Sequence, residues 1–181
     1  WTLDAETGTQ TRDANLNRLL GLDPVETTQL FDEFLDHVHP DDRAAVAAAF
    51  GESIRERRPL AIEFRVVWPD GTVRWLRDQG DVFGDAAAGG RHMAGACVDV
   101  TDRRAAEEAV RASEERLRLV VESATDYAIL TLSPGRAGTG WSPGAEATFG
   151  WPAAEVVGRS GDELFTPEDR AAGAPEQSLV E

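Results

Sequence analysis

The sequence contains no lysine, although 18 of its 181 residues are basic, all of them arginine. The absence of lysine excludes a phosphate-loop lysine, a protein-kinase strand lysine and Schiff-base chemistry. Arginine-only usage is typical of a GC-rich genome or of a salt-adapted proteome, and both explanations stay open. The 33 acidic residues give a net charge of −15. Because such a surface repels phosphate backbones and anionic lipids, we expect no contact of this segment with nucleic acid or membrane.

Cysteine and long apolar runs are also scarce. Cys97 is the only cysteine, so no internal disulfide can form, and its small, apolar neighbours predict a buried structural thiol in a cytoplasmic protein. No apolar run approaches the roughly 20 residues of a membrane helix, so any membrane anchor of the parent is expected outside this segment. The chain opens at Trp1 instead of Met, and we expect it to be a piece of a longer protein.

An internal repeat organises what is present. Three segments recur in the same order at nearly one offset. They are 39–45 with 166–172 at an offset of 127 residues, and 20–26 with 149–155 and 2–4 with 131–133 at an offset of 129. The repeat predicts two copies of one fold.

The helical part of the first copy is marked by a Pro-acid-Asp-Arg motif. Pro40 fits the first helical position, where a missing N–H costs nothing, and the acids after it favour the positive helix end. The motif predicts a helix over 40–57 with Val46 and Phe50 one turn apart on its apolar face. Thr166 is a good N-cap for the equivalent helix of the second copy.

Alternating hydrophobicity after this helix predicts an antiparallel hairpin. Ile62, Phe64 and Val66 alternate with charged residues, which is the period of a half-buried strand. A Pro-Asp-Gly turn leads into a return strand over 72–83, and another strand is expected over 92–101 after a glycine-rich loop at 84–91. Strands set apart from helices indicate an α+β fold with helices on one face of the sheet.

These motifs resemble the PAS sensory family, of the type found in bacterial sensor histidine kinases. The residues that carry the resemblance are Trp1–Asp4, Leu19–Leu22, Val38–Arg43, Phe64–Gly71, Val73–Leu76 and Asp99–Thr101. The resemblance covers 1–102, including the C-terminal extension called the PAC motif, and implies an antiparallel sheet with helices on one face. It also makes Asp99 and Thr101 the exit signal into an output helix, which Thr101 is placed to cap.

The second copy, over 125–181, resembles the front half of another PAS domain. The matching segments are Asp126–Ile129, Trp141–Glu146, Phe149–Gly150, Glu155–Arg159 and Phe165–Arg170. It departs from the family at Ser142, since Asn commonly follows the Trp. The repeat offset places its remaining strands beyond residue 181, so we expect a truncated domain of marginal stability.

A segment without Gly or Pro, residues 103–124, connects the copies and predicts a helix. Its a and d positions form a modest coiled-coil seam and read Arg103, Ala106, Val110, Ser113, Leu117, Val120 and Ala124. The resemblance favours a parallel homodimer through this connector and the PAS domains. It makes the relay residues Asp99, Thr101, Ala106, Val110, Leu117, Val120 and Ala124. A solvated helix packed on its own domain stays open as the alternative.

The first copy has apolar residues that suit a small-molecule pocket. They are Phe34, Val38, Val46, Phe50, Ile62, Phe64, Val66, Trp75, Met93 and Cys97. The same residues suit a filled core, and both interpretations stay open. No catalytic residue and no metal site is expected, because His37 and His39 diverge at their spacing. The resemblance also implies no haem or flavin adduct, since the predicted long helix lacks His and Cys97 lies on a strand.

The sequence thus predicts a sensory and relay region and no catalytic module within these residues. By resemblance, the parent is expected to be a sensor histidine kinase of a two-component phosphorelay, with its kinase modules downstream. The alternatives are the PAS array of a cyclic-dinucleotide enzyme and a ligand-independent dimerisation scaffold. The ligand is not predicted.

Overall fold

The computed structural model describes residues 1–84 and 90–172, which form two compact units within 1–108 and 109–181. Most of the predicted glycine-rich loop, at 85–89, and the end of the predicted second domain, at 173–181, lie outside the described residues. The elements of the first unit are β1 (Thr2–Asp4), β2 (Thr9–Arg12), α1 (Ala14–Leu19), β3 (Thr27–Leu30), α2 (Phe31–His37), α3 (Arg43–Glu56), β4 (Leu60–Val67), β5 (Val73–Phe83) and β6 (His92–Asp99).

The strands of the first unit form one antiparallel sheet in the order β3-β2-β1-β6-β5-β4. The predicted α+β fold is confirmed, with β4 and β5 joined at the turn that Gly71 permits through its φ of 85°. The strand β3 was not predicted. Its Thr-Thr-Gln-Leu sequence has no apolar alternation, and it pairs on the sheet edge beside β2.

A single apolar core lies between the sheet and α1, α2 and α3. Rings from α2, α3 and β4 stack in it: Phe34 meets Phe64 edge-on at 6.0 Å, and Phe31 lies 4.8 Å from Phe50. The buried members of the core are Trp1, Leu3, Leu16, Leu20, Phe34, Val38, Val46, Phe50, Leu60, Phe64, Val66, Leu76 and Met93. The first three helices therefore cover one face of the sheet.

Two glycines explain how Trp1 packs flat on the sheet. Gly80 and Gly95 are register partners on β5 and β6. A Cβ on Gly95 would lie 2.5 Å from the Trp1 ring, and one on Gly80 would lie 3.0 Å from it. The small residues of β6 thus leave the space that the indole fills.

The helix α3 starts at Arg43, three residues later than predicted from Pro40. The carboxylate of Asp42, which precedes the helix, makes no capping bond. It accepts instead from the backbone N–H of Arg65 at 2.9 Å and from its guanidinium at 2.9 and 2.6 Å. The Pro-acid motif therefore joins the helix start to β4 as well as preceding a helix.

A long helix, α4 (Thr101–Ser123), follows β6 almost directly. The elements after it are β7 (Leu130–Leu132), β8 (Gly138–Trp141), α5 (Pro143–Phe149), α6 (Ala153–Val156), a 3-10 turn (Gly161–Leu164) and α7 (Pro167–Ala171). In the second unit β7 and β8 form a two-stranded sheet, and several large side chains are exposed, among them Tyr127, Phe149 and Trp151.

The repeat reappears in the order of the elements. β8 and α5 begin 129 residues after β2 and α1. Asp13 Oδ1 caps α1 by accepting from Leu16 N at 2.8 Å, and Ser142 Oγ caps α5 by accepting from Ala145 N at 3.1 Å. Ser142 thus serves as a helix cap at the position where the family pattern has Asn. Thr166 caps α7 as predicted, accepting from Asp169 N at 3.2 Å.

Candidate ligand site and relay junction

The structure brings nine of the ten predicted pocket residues together on the core side of the sheet. Seven are fully buried there: Phe34, Val38, Val46, Phe50, Phe64, Val66 and Met93. Ile62 and Cys97 are partly buried against the same cluster. These residues pack on one another, as in a filled core.

Trp75 is the exception, because it lies on the opposite face of the sheet. Its register partner is Arg65, whereas its neighbour Leu76 pairs with Phe64 and is buried in the core. Side chains alternate between faces along a strand, so Trp75 cannot share the core face with Leu76. Its assignment to the pocket was wrong, and it belongs to the junction described below.

An open groove of about 260 Å³ lies beside the core, between β1, α2 and α3. Its apolar lining comes from Leu3, Phe31, Leu35, Phe50 and Ile54. Asp4 and Asp32 also line it. The groove is at the small end of the volumes that ligand pockets span, so it suits a compact apolar group.

Polar side chains that the sequence analysis missed lie on the core face. Asp78 is 1% exposed and accepts from the Trp1 indole N–H at 2.8 Å. Burial raises the pKa of Asp78 to about 6, against the smaller opposing effects of the Trp1 indole, the Cys97 thiol and the α-amino group. Burial likewise raises the pKa of the Cys97 thiol, and the nearby Asp78 charge adds to this, so Cys97 is a poor nucleophile.

The junction between sheet and output helix is built around Thr101. Its hydroxyl oxygen accepts from the backbone N–H of Trp75 at 2.9 Å, and Asp99 Oδ1 accepts from the Thr101 N–H at 2.8 Å. Thr101 was expected to cap the helix, but α4 already includes it, and Arg104 N bonds to the carbonyl of Val100 at 2.9 Å. The hydroxyl therefore ties α4 to β5 instead of capping it.

Charged side chains strengthen the same junction on the outer face of the sheet. Glu63 on β4 accepts from Arg103 at 2.6 Å and from Arg104 at 2.8 and 2.6 Å. The hydrogen bond from Arg104 lowers the pKa of Glu63, and the charge of Arg103 adds to this. The Arg104 guanidinium also lies over the Trp75 ring, 4.5 Å from its centroid. We call Glu63, Trp75, Thr101, Arg103 and Arg104 the junction cluster.

The cluster is continuous with the start of α3. The guanidinium of Arg65 lies 5.7 Å from the centroid of the Trp75 ring and is held by Asp42. A chain of contacts thus runs from Asp42 at the start of α3, through Arg65 and Trp75, to Arg104 on α4. It links a helix of the core to the output helix across the sheet.

Beyond the junction, α4 contains no buried residue. Val110, Leu117 and Val120, at predicted a and d positions, are 58%, 63% and 57% exposed. Ala106 and Ala124 complete the predicted relay set; Ala106 lies on α4, and Ala124 is the residue after its end. Apolar side chains this exposed on a helix mark a surface that can take a partner.

Comparison with known proteins agrees with the fold. A family model described as the PAS fold matches residues 11–97. The chain is 28% identical over 171 residues to the sensor protein FixL of Bradyrhizobium diazoefficiens, covering 94% of this chain and 34% of FixL. The crystal structure of a sensory box histidine kinase/response regulator from Burkholderia thailandensis is 31% identical, with a TM-score of 0.54, over 65% of this chain and 88% of that one.

A further relative is the probable diguanylate cyclase DgcE of Escherichia coli, 26% identical over 121 residues, which are 67% of this chain and 11% of DgcE. The chain spans about a third of the length of FixL and about a tenth of DgcE. It belongs to the PAS family, and its first unit is a PAS sensor domain homologous to those of histidine kinases and diguanylate cyclases. None of the helices described at 1–84 and 90–172 is both long and apolar enough to cross a membrane.

Proposed function

We propose that this chain is the sensory and relay region of a cytoplasmic bacterial signalling protein, with a sensor histidine kinase as the parent. The observation that carries the relay role is the junction cluster, in which Glu63 and Trp75 hold the first turn of α4 on the sheet. Because α4 is otherwise free of buried contacts, a shift of β4 or β5 moves its start directly. The second unit is a truncated PAS domain that receives this movement in the same chain.

The proposed kinase output is supported by two relatives, FixL and the Burkholderia protein, which are named as a sensor and as a histidine kinase. A cyclic-dinucleotide enzyme is the second candidate, supported by the similarity to DgcE. The two outputs differ in product. The full-length gene product, given labelled ATP, should acquire an acid-labile phosphohistidine. Formation of cyclic dinucleotide from GTP without such labelling would instead establish the second candidate.

The junction is tested by replacing Thr101 with Val, which keeps the shape of the side chain and removes the hydroxyl. We expect a loss of about 1 kcal/mol in unfolding free energy, because the part-buried N–H of Trp75 loses its acceptor. Hydrogen exchange should accelerate at 75 and over 101–106, with 1–60 unchanged. Thr101→Ser keeps the hydroxyl and should behave as the parent. In the full-length protein, Thr101→Val should disturb output; unchanged output together with unchanged exchange would refute the relay role.

The proposed sensor uses neither haem nor a flavin adduct. The helix α3 carries no histidine, and the Cys97 thiol is held protonated by burial. The purified chain should therefore show no Soret band and no flavin absorbance after expression in cells supplied with both precursors. A stoichiometric band of either kind would overturn this expectation.

A further inference from the structure

Polar side chains without hydrogen-bond partners lie inside the first unit. Gln10 and Arg12 are two residues apart on β2 and so point to the same face of the sheet; they are 1% and 0% exposed. Within the described residues, nothing bonds either end of the Gln10 amide or any guanidinium nitrogen of Arg12. Asn17 on α1 adds its carbonyl oxygen in the same state, while its amide nitrogen donates to Thr27 Oγ1 at 3.0 Å.

These side chains belong together. Thr27, which Asn17 contacts, is the register partner of Arg12 on the neighbouring strand. Gln10, Arg12 and Asn17 are called the β2 polar cluster below. Buried polar groups are bonded in most proteins, and a cluster that lacks partners indicates groups that await a ligand.

The charge of Arg12 is not neutralised by its surroundings. Burial lowers the pKa of Arg12, and the nearby Glu33 opposes this. The Glu33 carboxylate accepts from the backbone N–H of Leu30 at 3.2 Å instead of from the guanidinium. Burial, and then the charge of Arg12, lower the pKa of His37, so the imidazole adds no charge near neutral pH. One positive charge therefore faces the cluster with only a distant counter-charge.

The fold itself does not require an arginine here. The repeat offset of 129 residues puts Trp141 at the equivalent position, the last residue of β8. The indole of Trp141 donates to the carbonyl of Trp151 at 2.8 Å, so the same strand end is satisfied within its own unit by an aromatic residue. Arg12 is thus a feature of the first copy alone.

The groove beside the core lies next to the cluster. Leu3 lines that groove and is the register partner of Gln10. The remaining apolar walls come from Phe31, Leu35 and Phe50, so the groove can take an alkyl group and cannot pair a charge. An anionic end and an apolar tail are therefore the two chemical features that the neighbouring surfaces fit.

We propose that the β2 polar cluster binds the carboxylate of a small monocarboxylic acid whose alkyl tail lies in the groove. The planar fork of Arg12 matches a carboxylate in a bidentate pair, and the Gln10 amide donates a further hydrogen bond. A monoanion balances the single charge of Arg12, whereas a dianionic phosphate would leave excess negative charge near Glu33. This inference deepens the sensory role proposed above, since it names the class of ligand that the PAS domain senses.

The test is calorimetric titration of the intact chain with sodium hexanoate, hexanamide and sodium phosphate at matched ionic strength. Hexanoate should bind, and hexanamide and phosphate should not. Arg12→Met should weaken hexanoate binding by about tenfold or more, since it removes the charge-assisted pair. Arg18→Met is the matched control, because Arg18 is an exposed arginine of α1 and its loss changes the net charge equally. Its affinity for hexanoate should equal that of the parent.

Each contrary result overturns the proposal: no binding of hexanoate, equal binding of hexanamide, tighter binding of phosphate, or unchanged affinity in Arg12→Met. If Arg12→Met does not fold, the Nε–H signal of Arg12 in the parent chain, followed by ¹⁵N spectroscopy, should shift with hexanoate and not with hexanamide. Thr101→Val should bind hexanoate as the parent does. A failure of ligand binding is therefore distinguishable from a failure of the relay.

Discussion

Replacing Asp78 with Asn should stabilise the first unit by about 3 kcal/mol at pH 8, and by little near pH 4. The carboxylate lies in the core beside the Trp1 indole, where burial raises its pKa from 3.8 to about 6. An Asn at this position keeps an oxygen that accepts the indole N–H, and it carries no charge that must be buried at high pH.

The direction follows from proton linkage. The folded state binds the Asp78 proton more tightly than the unfolded state, because its pKa is the higher of the two. The favourable contribution of protonated Asp78 is complete below pH 3.8 and is lost as the pH rises through about 6. The unfolding free energy of the parent should therefore fall over this range relative to that of Asp78→Asn.

Urea denaturation of both proteins at intervals from pH 4 to pH 8 measures this difference. Asp42→Asn is the control of opposite sign, because the hydrogen bond from Arg65 lowers the pKa of Asp42. That carboxylate stabilises the fold above its unfolded pKa and loses its effect as the pH falls, so Asp42→Asn should destabilise at pH 8. A constant difference between the parent and Asp78→Asn across the range would show that Asp78 is not titrating in the core.

Much of the fold could be predicted because local signals and core packing agree. Ile62, Phe64 and Val66 alternate with charged residues, and the hairpin of β4 and β5 forms as the pattern indicates. The repeat placed β8 and α5 in the second unit from the positions of the first-copy elements. Here each residue type suits both its local conformation and its burial.

The parts that could not be predicted depend on which face of a strand turns inward. In β5 the apolar residues Trp75 and Leu76 are adjacent, so the sequence does not decide which one enters the core. The core takes Leu76, and Trp75 becomes a platform for Arg104. Gln10 and Arg12 are likewise polar residues on the core face, where patterning expects apolar ones. Sequence reasoning therefore missed the side chains on which the ligand proposal rests.

The homodimer stays a prediction, and the exposed stripe on α4 sets its test. Val110→Asp combined with Leu117→Asp should convert a dimer of this chain to a monomer, because two charges at a positions would face each other across the seam. Ala112→Asp combined with Leu119→Asp is the matched control. Both residues are exposed on the same helix at c positions, which lie off the seam, so this variant should remain a dimer.

Sedimentation equilibrium of the parent and both variants decides between a dimer seam and a helix packed on its own unit. The second interpretation has support in the structure, because Leu117 lines a groove of the second unit together with Val121 and Ile129. If α4 serves only its own unit, all three proteins will have the same mass, and the a-position variant will instead lose amide protection over 129–145. If α4 is the seam, the mass will halve in that variant alone. The relay through the junction cluster then acts on two helices at once, since each copy of Thr101 lies at the start of one of them.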